Sequence, residues 1–252
     1  MKRDLNIRIK TPEELQTLLD AGKILARVVA NIKSSLKIGM TTRDIDVLAE
    51  KLIAEEGVLP AFKGYRGYPA CACVSVNEQI VHGIPGERVI KANDLVSIDI
   101  GIIHQKYFSD MAVTVGLGDV DASRQKLIDV TRQALYKGIA QAKSGSRLGD
   151  LSHAIQAYVE SKGFSVVRDF VGHGIGRELH EDPEIPNYGH PGTGPVLRPG
   201  MVLAIEPMVN MGGHQTKTLD DGWTVITADR KPSAHFEHTI AVTEQGPVIF
   251  TE

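Results

Sequence analysis

The chain has 252 residues, 42% of them hydrophobic and 23% charged, with a formal net charge of −3. These totals are typical of a globular protein, and the charge gives no broad field for binding nucleic acid or an anionic membrane. The first residues, Met1 to Arg8, lack the apolar run of a signal peptide, and no segment approaches the ~18 apolar residues of a membrane span. We therefore expect a cytoplasmic protein.

A single domain over residues 1–252 is predicted, because no low-complexity tract or Ser/Gly-rich linker divides the chain. Cys71 and Cys73 are the only cysteines and lie two residues apart in one predicted strand. Neither has a distant partner, which excludes a disulfide framework.

Four helices are predicted from capping residues and apolar spacing. Thr11 is a capping residue followed by proline and two glutamates, which predicts a helix that begins at Pro12. A second helix is expected over 42–56, with Gly57 as its C-terminal cap. Two more are expected over 123–142 and 148–162.

Two strands between Asp94 and Val115 are the centre of the pattern. In the first strand, aliphatic residues alternate with polar or small ones at Val96, Ile98, Ile100 and Ile102. The second strand shows the same alternation at Met111, Val113 and Val115. Asp99 and Asp110 therefore point away from the aliphatic faces. A hairpin centred between His104 and Gln105 would place Asp99 directly opposite Asp110. Opposed like charges destabilise a sheet by up to roughly 1 kcal/mol. A bound cation would relieve this repulsion; the alternative is a solvated face.

The second half of the chain repeats the first. A shift of 106 residues superposes five pairs without a gap: Lys37 and Lys143, Gly39 and Gly145, Asp44 and Asp150, Ile45 and Leu151, and Gly57 and Gly163. This indicates a pseudo-twofold repeat of about 11–118 and 119–252. With one inserted residue, the shift carries Asp99 onto Glu206, and strand alternation makes Glu237 the counterpart of Asp110. We therefore predict an α+β fold, with duplicated αβ halves around a curved antiparallel sheet and helices on its convex face.

Four acids that meet in a cleft would raise one another's pKa values unless a divalent metal neutralised them. His173 is a candidate neutral ligand, since the glycines around it leave its imidazole unobstructed, although a lone histidine among glycines is more often a turn residue. Such an oxygen-rich set with one nitrogen suits Mn, Fe, Co or catalytic Zn. Two ions ~3.5–4 Å apart would activate a bridging water, which is hydrolase chemistry.

Several segments together closely resemble the type I methionine aminopeptidases: the spacing of Asp99 and Asp110, Gly172–Gly176, Ile205–Met208, Asp221–Thr224 and Glu237–Thr239. The resemblance covers about Ile9 to Phe250 and implies the duplicated pita-bread fold. It favours the short bacterial-type form, because the Cys/His-rich extension of eukaryotic cytosolic relatives is not seen before the first helix.

The resemblance also implies the metal ligands. Asp99 would bind one ion, His173 and Glu206 would bind the other, and Asp110 and Glu237 would bridge both. Glu206 would in addition accept the proton of the attacking water.

Two histidines and six pocket residues are implied in the same way. His82 and His180 would contact the substrate and the developing oxyanion. The methionine pocket would consist of Tyr65, Tyr68, Cys73 and Trp223, with Phe62 and Leu179 on its rim; without the resemblance, core packing would be the simpler interpretation of these six.

The implied activity is removal of the initiator methionine from nascent polypeptides whose second residue is small, with two divalent ions (Co, Mn, Fe or Zn) as cofactors. The expected partners are nascent N-termini, with the ribosome as a place of encounter, and a monomer is the default. One alternative is a proline-directed aminopeptidase of the same fold, which would use the same five ligands but usually carries an extra N-terminal domain. Another is a pita-bread binding protein without catalysis, which the complete ligand set disfavours.

Overall fold

The computed structural model describes residues 5–252; Met1 to Asp4, on which the prediction of an absent signal peptide partly rests, lie outside the described residues. The predicted helices are confirmed with shifts of a few residues: α1 (Pro12–Ser35), α2 (Thr42–Glu55), α3 (Ala122–Ile139) and α4 (Leu148–Ser161). None of these helices combines the length and the apolar character that crossing a membrane would require.

The strands of the described residues are β1 (Leu59–Pro60), β2 (Ala72–Val76), β3 (Gln79–Val81), β4 (Leu95–His104), β5 (Tyr107–Gly116), β6 (Ser165–Val166), β7 (Gly172–Gly174), β8 (Glu181–Ile185), β9 (Val202–Ile205), β10 (Met208–Asn210), β11 (Thr216–Thr218), β12 (Val225–Thr227), β13 (Ser233–His235), β14 (Glu237–Thr243) and β15 (Gly246–Ile249). The main sheet is antiparallel in the order β1-β4-β5-β14-β9-β7-β8, with β2 beside β4 and β15 beside β14. Two three-stranded sheets, β13-β10-β6 and β11-β12-β3, complete the architecture.

Capping residues explain where the helices begin. The Thr11 hydroxyl accepts the N–H of Glu14, whose carboxylate accepts the N–H of Thr11 in return. Thr41 and Asp44 form the same reciprocal pair at the start of α2. Each such cap satisfies two backbone donors that the helix leaves free.

The central hairpin has a different register from the predicted one. His104 pairs with Tyr107, so the turn is Gln105-Lys106, and both turn residues have positive φ (48° and 71°). A two-residue turn needs this conformation to match the strand twist, even without glycine. Asp99 consequently pairs with Ala112, and Asp110 pairs with Gly101. The prediction of directly opposed aspartates is wrong: the two carboxylates are diagonal neighbours on one face.

The helices pack on the sheet face opposite the acids. Helices α1 and α2 bury their apolar side chains against Val96, Ile98 and Ile100 of β4. Helices α3 and α4 do the same against Leu203 of β9 and Ile240 of β14. The helices therefore cover one face of the main sheet, and the opposite face is left for polar side chains. This is the arrangement that the predicted pita-bread fold requires.

Matched backbone hydrogen bonds occur in the two halves. In the first half the Gly39 N–H donates to the Ile90 carbonyl, and in the second half the Gly145 N–H donates to the Leu197 carbonyl. Likewise, the Asn93 N–H donates to the Leu117 carbonyl, and the Gly200 N–H donates to the Val242 carbonyl. Such contacts support a duplicated architecture. The single domain and the repeat boundaries near residues 118 and 119 stay predictions.

In the main sheet, the halves join along a short seam between β5 and β14. Only two residue pairs form this ladder, Glu237 with Ala112 and His238 with Met111. Beyond one end, the Thr239 hydroxyl accepts the Asp110 N–H and donates to the Asp110 carbonyl. Beyond the other end, the Thr114 hydroxyl makes the same two contacts with the backbone of His235. The seam is thus completed by side chains.

Candidate active site

One cleft on the free face of the sheet brings together all the residues predicted for the site. Its lining includes the five candidate ligands Asp99, Asp110, His173, Glu206 and Glu237, the histidines His82 and His180, and the pocket residues Phe62, Tyr65, Tyr68, Cys73, Leu179 and Trp223. These residues come from both halves of the chain. The site therefore depends on the complete fold.

Small residues between the acids make room for them. Across three neighbouring strands, Ala112 pairs with Asp99 on one side and with Glu237 on the other. In the next row, Gly101 pairs with Asp110. A side chain at Gly101 would collide with Phe62, so this position has to stay small. The strand alternation thus places three carboxylates close together on one face of the sheet, around the small residues Gly101 and Ala112.

Glu206 and Glu237 lie where strands end. Glu206 was expected inside a strand, but it directly follows β9 and precedes Pro207. Glu237 is the first residue of β14, after a break at Phe236 that separates β13 from β14. The alternation argument placed both carboxylates on the correct face, although it did not predict these breaks.

His173 lies on β7, a strand compressed between β8 and β9. A Cβ atom at Gly172 would collide with the carbonyl oxygen of Ala204, and one at Gly174 would collide with that of Asp182. The glycines are needed because the backbones approach closely. His173 pairs with Ala204, so its side chain points into the cleft beside Glu206.

Burial makes the acids electrostatically unfavourable without a cation. It raises the pKa of Asp110 to about 7. For Asp99, burial together with the nearby charges of Asp110 and Glu206 raises the pKa well above its ordinary value. Burial also raises the pKa values of Glu206 and Glu237 well above theirs. Within residues 5–252, Asp99 Oδ1 and Glu237 Oε1 are buried without a hydrogen-bond partner.

The imidazole of His173 completes a set that fits a divalent metal. His173 Nδ1 lies 2.9 Å from the carbonyl oxygen of Gly174, which can only accept, so Nδ1 carries the proton. Burial lowers the pKa of His173 to about 4, which keeps the ring neutral. Its Nε2 lone pair therefore faces Glu206 Oε1 at 3.6 Å. Two facing lone pairs favour a cation between them, and ligand atoms of Asp110, His173 and Glu237 lie within 4.8 Å of one another.

An apolar pocket adjoins the acids. Cys73 pairs with Asp99 on the neighbouring strand, so its thiol lies at the boundary between the two regions. Burial raises the pKa of this thiol well above its ordinary value, which keeps it protonated. The Tyr68 and Trp223 rings meet edge to face at 5.1 Å, and the Tyr68 hydroxyl donates to the Gly83 carbonyl at 3.0 Å. The pocket walls are thereby fixed before any ligand enters.

His180 and His82 both line the cleft but have different neighbours. The His180 ring is 4.3 Å from that of His173, and its Nδ1 is 2.8 Å from the Tyr65 hydroxyl. His82 has a positive φ of 57° and packs edge to face against Phe170 at 5.6 Å. Non-glycine residues in this conformation are uncommon and cluster at functional sites.

Sequence reasoning missed some residues at the cleft. Arg66, Val81, Phe170 and Val171 also line it, and nothing in their local patterns indicated this. His235 is fully buried, with Nε2 3.6 Å from Glu206 Oε2. Its position two residues before Glu237 was a usable signal, since residues two apart in a strand share a face.

Comparisons with known proteins agree with this geometry. Residues 16–244 match the model of metallopeptidase family M24. Methionine aminopeptidase 1 of Bacillus subtilis is 54% identical over 96% of this chain and 98% of that protein. The crystal structure of a methionine aminopeptidase from Thermotoga maritima has a TM-score of 0.96 at 51% identity and covers 98% of this chain and 99% of that one.

A more distant structure shares the fold alone. The prolidase from Pyrococcus furiosus has a TM-score of 0.80 at 24% identity, over 97% of this chain and 65% of that one. The family match and the full-length relatives decide the classification: this chain belongs to metallopeptidase family M24, among the bacterial methionine aminopeptidases.

Proposed function

We propose that this protein removes the N-terminal methionine from polypeptides whose second residue is small. One observation carries the proposal: a single cleft joins four carboxylates and a neutral imidazole with an aromatic pocket that includes a thiol. Asp110 and Glu237 are buried, and Asp99 and Glu206 are half-buried. Membership of a metallopeptidase family and the names of the full-length relatives support it. A proline-directed activity has weaker support, since the prolidase likeness concerns the fold only.

Two divalent ions, Mn, Fe, Co or Zn, are the proposed cofactors. Asp99 would hold one ion, His173 and Glu206 the other, and Asp110 and Glu237 both. Two observations support this set: within residues 5–252 the buried oxygens Asp99 Oδ1 and Glu237 Oε1 have no hydrogen-bond partner, and His173 presents a lone pair. When bound, the ions would polarise the scissile carbonyl and lower the pKa of water near them.

The protein's own groups would position the substrate and move protons. Glu206 would accept the proton from the attacking water and deliver it to the leaving amine, a role that its depth in the cleft beside two neutral imidazoles supports. His180 would donate a hydrogen bond to the oxyanion, with its ring held by the Tyr65 hydroxyl. His82 would also contact the substrate, and its ring centroid lies 6.2 Å from that of Trp223.

The pocket would select methionine by shape and polarisability. Tyr65, Tyr68 and Trp223 offer aromatic surface, and Cys73 offers a soft, protonated thiol. Contacts between a thioether and aromatic rings contribute ~0.3–1.5 kcal/mol each. Phe62 and Leu179, both buried in the same cluster, would close the pocket rim against branched side chains.

A peptide panel tests the proposal. Met-Ala, Met-Leu, formyl-Met-Ala and Ala-Pro peptides are compared under identical metal conditions, with Met-Ala expected to be the best substrate. The formylated peptide should be refused, because a free amine is the group that the family anchors at the metals. Cleavage of Ala-Pro without cleavage of Met-Ala would replace the methionine assignment by the proline-directed alternative.

The cellular context remains part of the proposal. Nascent chains at the ribosome are the proposed source of substrate, since they carry the initiator methionine. A monomeric, cytoplasmic protein without specific nucleic-acid or membrane partners stays a prediction. Size-exclusion chromatography with light scattering, and co-sedimentation with ribosomes, are the measurements that check it.

A further inference from the structure

We propose that His235 is a positioning residue: its Nε2–H donates to Oε2 of Glu206 and so orients that carboxylate, leaving Oε1 directed toward His173 and the metal. This inference rests on the proposed metal site. It concerns a side chain that is not among the five candidate ligands.

The first observation is an unmet hydrogen bond. His235 is 1% exposed, and in the described part of the chain its Nε2 has no hydrogen-bond partner. A buried polar atom left unpaired destabilises the fold. Glu206 Oε2 lies 3.6 Å away, which is longer than a hydrogen bond. The terminal torsion of a glutamate is soft, so a modest rotation of Glu206 would close the gap.

The second observation is that the imidazole is held in place by its backbone. The His235 N–H donates to the Thr114 hydroxyl at 2.8 Å, and the His235 carbonyl accepts from the same hydroxyl at 2.8 Å. On β13, His235 also pairs with Met208. These contacts fix the direction from which the ring meets Glu206.

The third observation is that the carboxylate of Glu206 lies between two imidazoles, one at each oxygen. His173 Nε2 faces Oε1, and its tautomer is fixed by the Gly174 carbonyl, so it presents a lone pair suited to a metal. His235 Nε2 faces Oε2. An acceptor at its Nδ1 would require the proton on that nitrogen and leave a lone pair on Nε2, but the hydrogen bonds of the described residues include no such acceptor. A ligand carboxylate whose second oxygen accepts a hydrogen bond is the usual arrangement around protein-bound metals.

A direct ligand role for His235 is the competing assignment. Ligand atoms of Glu206, His235 and Glu237 lie within 4.8 Å of one another, so the ring is near enough for either role. The two roles differ in one proton: a positioning His235 carries hydrogen on Nε2, whereas a ligating one does not.

Two variants of similar size separate these roles. His235→Gln keeps an N–H donor and His235→Met has none. Mn²⁺ affinity is measured by calorimetry for the wild-type protein and both variants, with folding checked by thermal melting. His235→Gln should bind close to the wild-type affinity, and His235→Met should bind ~10–100-fold more weakly. His190→Gln, at an exposed histidine, is the matched control and should bind as the wild type does.

The contrary outcomes are distinct. Equal weakening in both variants would mean that an imidazole is required and would overturn the donor role, and equal affinity in all proteins would overturn any positioning. If His235→Met does not fold, the ¹⁵N spectrum of the zinc-loaded wild type decides. The Nε2 signal of His235 is assigned by its loss in His235→Gln. A protonated Nε2 supports the proposal, and an unprotonated Nε2 overturns it. Failure of the wild type to bind any metal would refute the metal site itself, before any variant is compared.

Discussion

The first and second halves of the chain build the cleft from similar elements but supply different chemistry. Each half gives two carboxylates from neighbouring strands and one histidine at the side of the cleft, His82 from the first half and His180 from the second. Only the second half adds His173, on a strand paired along both edges. The first half instead adds the loop between β1 and β2, which carries Phe62, Tyr65 and Tyr68.

The difference follows from the surroundings of each segment. Strand β7 is compressed between β8 and β9, so His173 is held in one position, as a metal ligand must be. The loop between β1 and β2 lies at the sheet edge, where the backbone can fold over the cleft and present side chains of varied shape. A duplicated scaffold thus places the acids in pairs, while the departures from symmetry provide the nitrogen and the pocket wall.

Metal removal should have the largest effect, because it leaves the acids of both halves without a counter-charge. Chelation should abolish Met-Ala hydrolysis, and Mn, Co or Fe should restore it. The measurement is the rate after dialysis against chelator and after addition of each metal. Full activity in a preparation shown by elemental analysis to be metal-free would contradict the shared site.

Glu206→Gln tests the second half's contribution to proton transfer. The amide cannot accept the proton from water, so kcat should fall by ~10²–10⁴-fold, the usual contribution of general acid–base catalysis. After chelation, the Tm of the variant should not be lower than that of the wild type, because the substitution removes a carboxyl group whose pKa is raised by burial. Glu244→Gln, at an exposed glutamate, is the control and should keep the wild-type rate. A wild-type rate in Glu206→Gln would refute its role.

His180→Ala should lower kcat by roughly 10²–10³-fold, the effect of losing one oxyanion donor. Tyr65→Phe removes only the hydroxyl that lies 2.8 Å from His180 Nδ1. Its expected loss is smaller, on the scale of one neutral hydrogen bond of about 0.5–1.5 kcal/mol. Steady-state kinetics on Met-Ala measures both. A greater loss in Tyr65→Phe than in His180→Ala would reverse the assignment of the donor.

The four acids of the cleft should destabilise the metal-free protein as pH rises, whereas the histidines whose pKa values burial lowers, such as His173 and His235, act in the opposite direction below about pH 6.5. Burial raises the pKa of Asp110 to about 7. From about pH 4 to about pH 7 its carboxyl group is therefore protonated in the folded state but ionised in the unfolded chain, so the contribution of this group to the free energy of unfolding declines across this window. Asp99, Glu206 and Glu237 shift in the same direction.

The metal-loaded protein should behave in the opposite way, because metal binding requires deprotonated ligands and strengthens with pH. Thermal melts with and without chelator across this range measure the contrast. In the chelated protein, Asp110→Asn should remove part of the acids' pH dependence; a variant whose Tm depends on pH as the wild type's does would show that burial does not hold Asp110 protonated.

Periodicity predicted the main features of the fold and the faces of the acids. The alternation in β4 and β5 placed Asp99 and Asp110 on one face, but it could not fix the hairpin register, which depends on the left-handed conformation of Gln105 and Lys106. Two turn residues without glycine gave no local sign of that conformation. The prediction therefore centred the turn one residue too early.

The second half's acids and the pocket needed more than periodicity. The internal shift identified Glu206, and alternation together with the counterpart argument identified Glu237, although both lie at strand ends. Tyr65, Tyr68 and Trp223 were named through the family resemblance, because loop paths are not set by apolar spacing. His235 was missed although it lies two residues before Glu237, because its neighbour in the cleft, Glu206, is distant in sequence.

The two threonine contacts at the seam have a consequence for backbone dynamics. The amide of Asp110 is hydrogen-bonded to the Thr239 hydroxyl, and the amide of His235 to the Thr114 hydroxyl. Each amide is thus shielded by a side chain of the opposite half, rather than by a strand partner in its own half. In hydrogen exchange, these two amides report separation of the halves, whereas amides within the β4–β5 hairpin report unfolding of the first half alone.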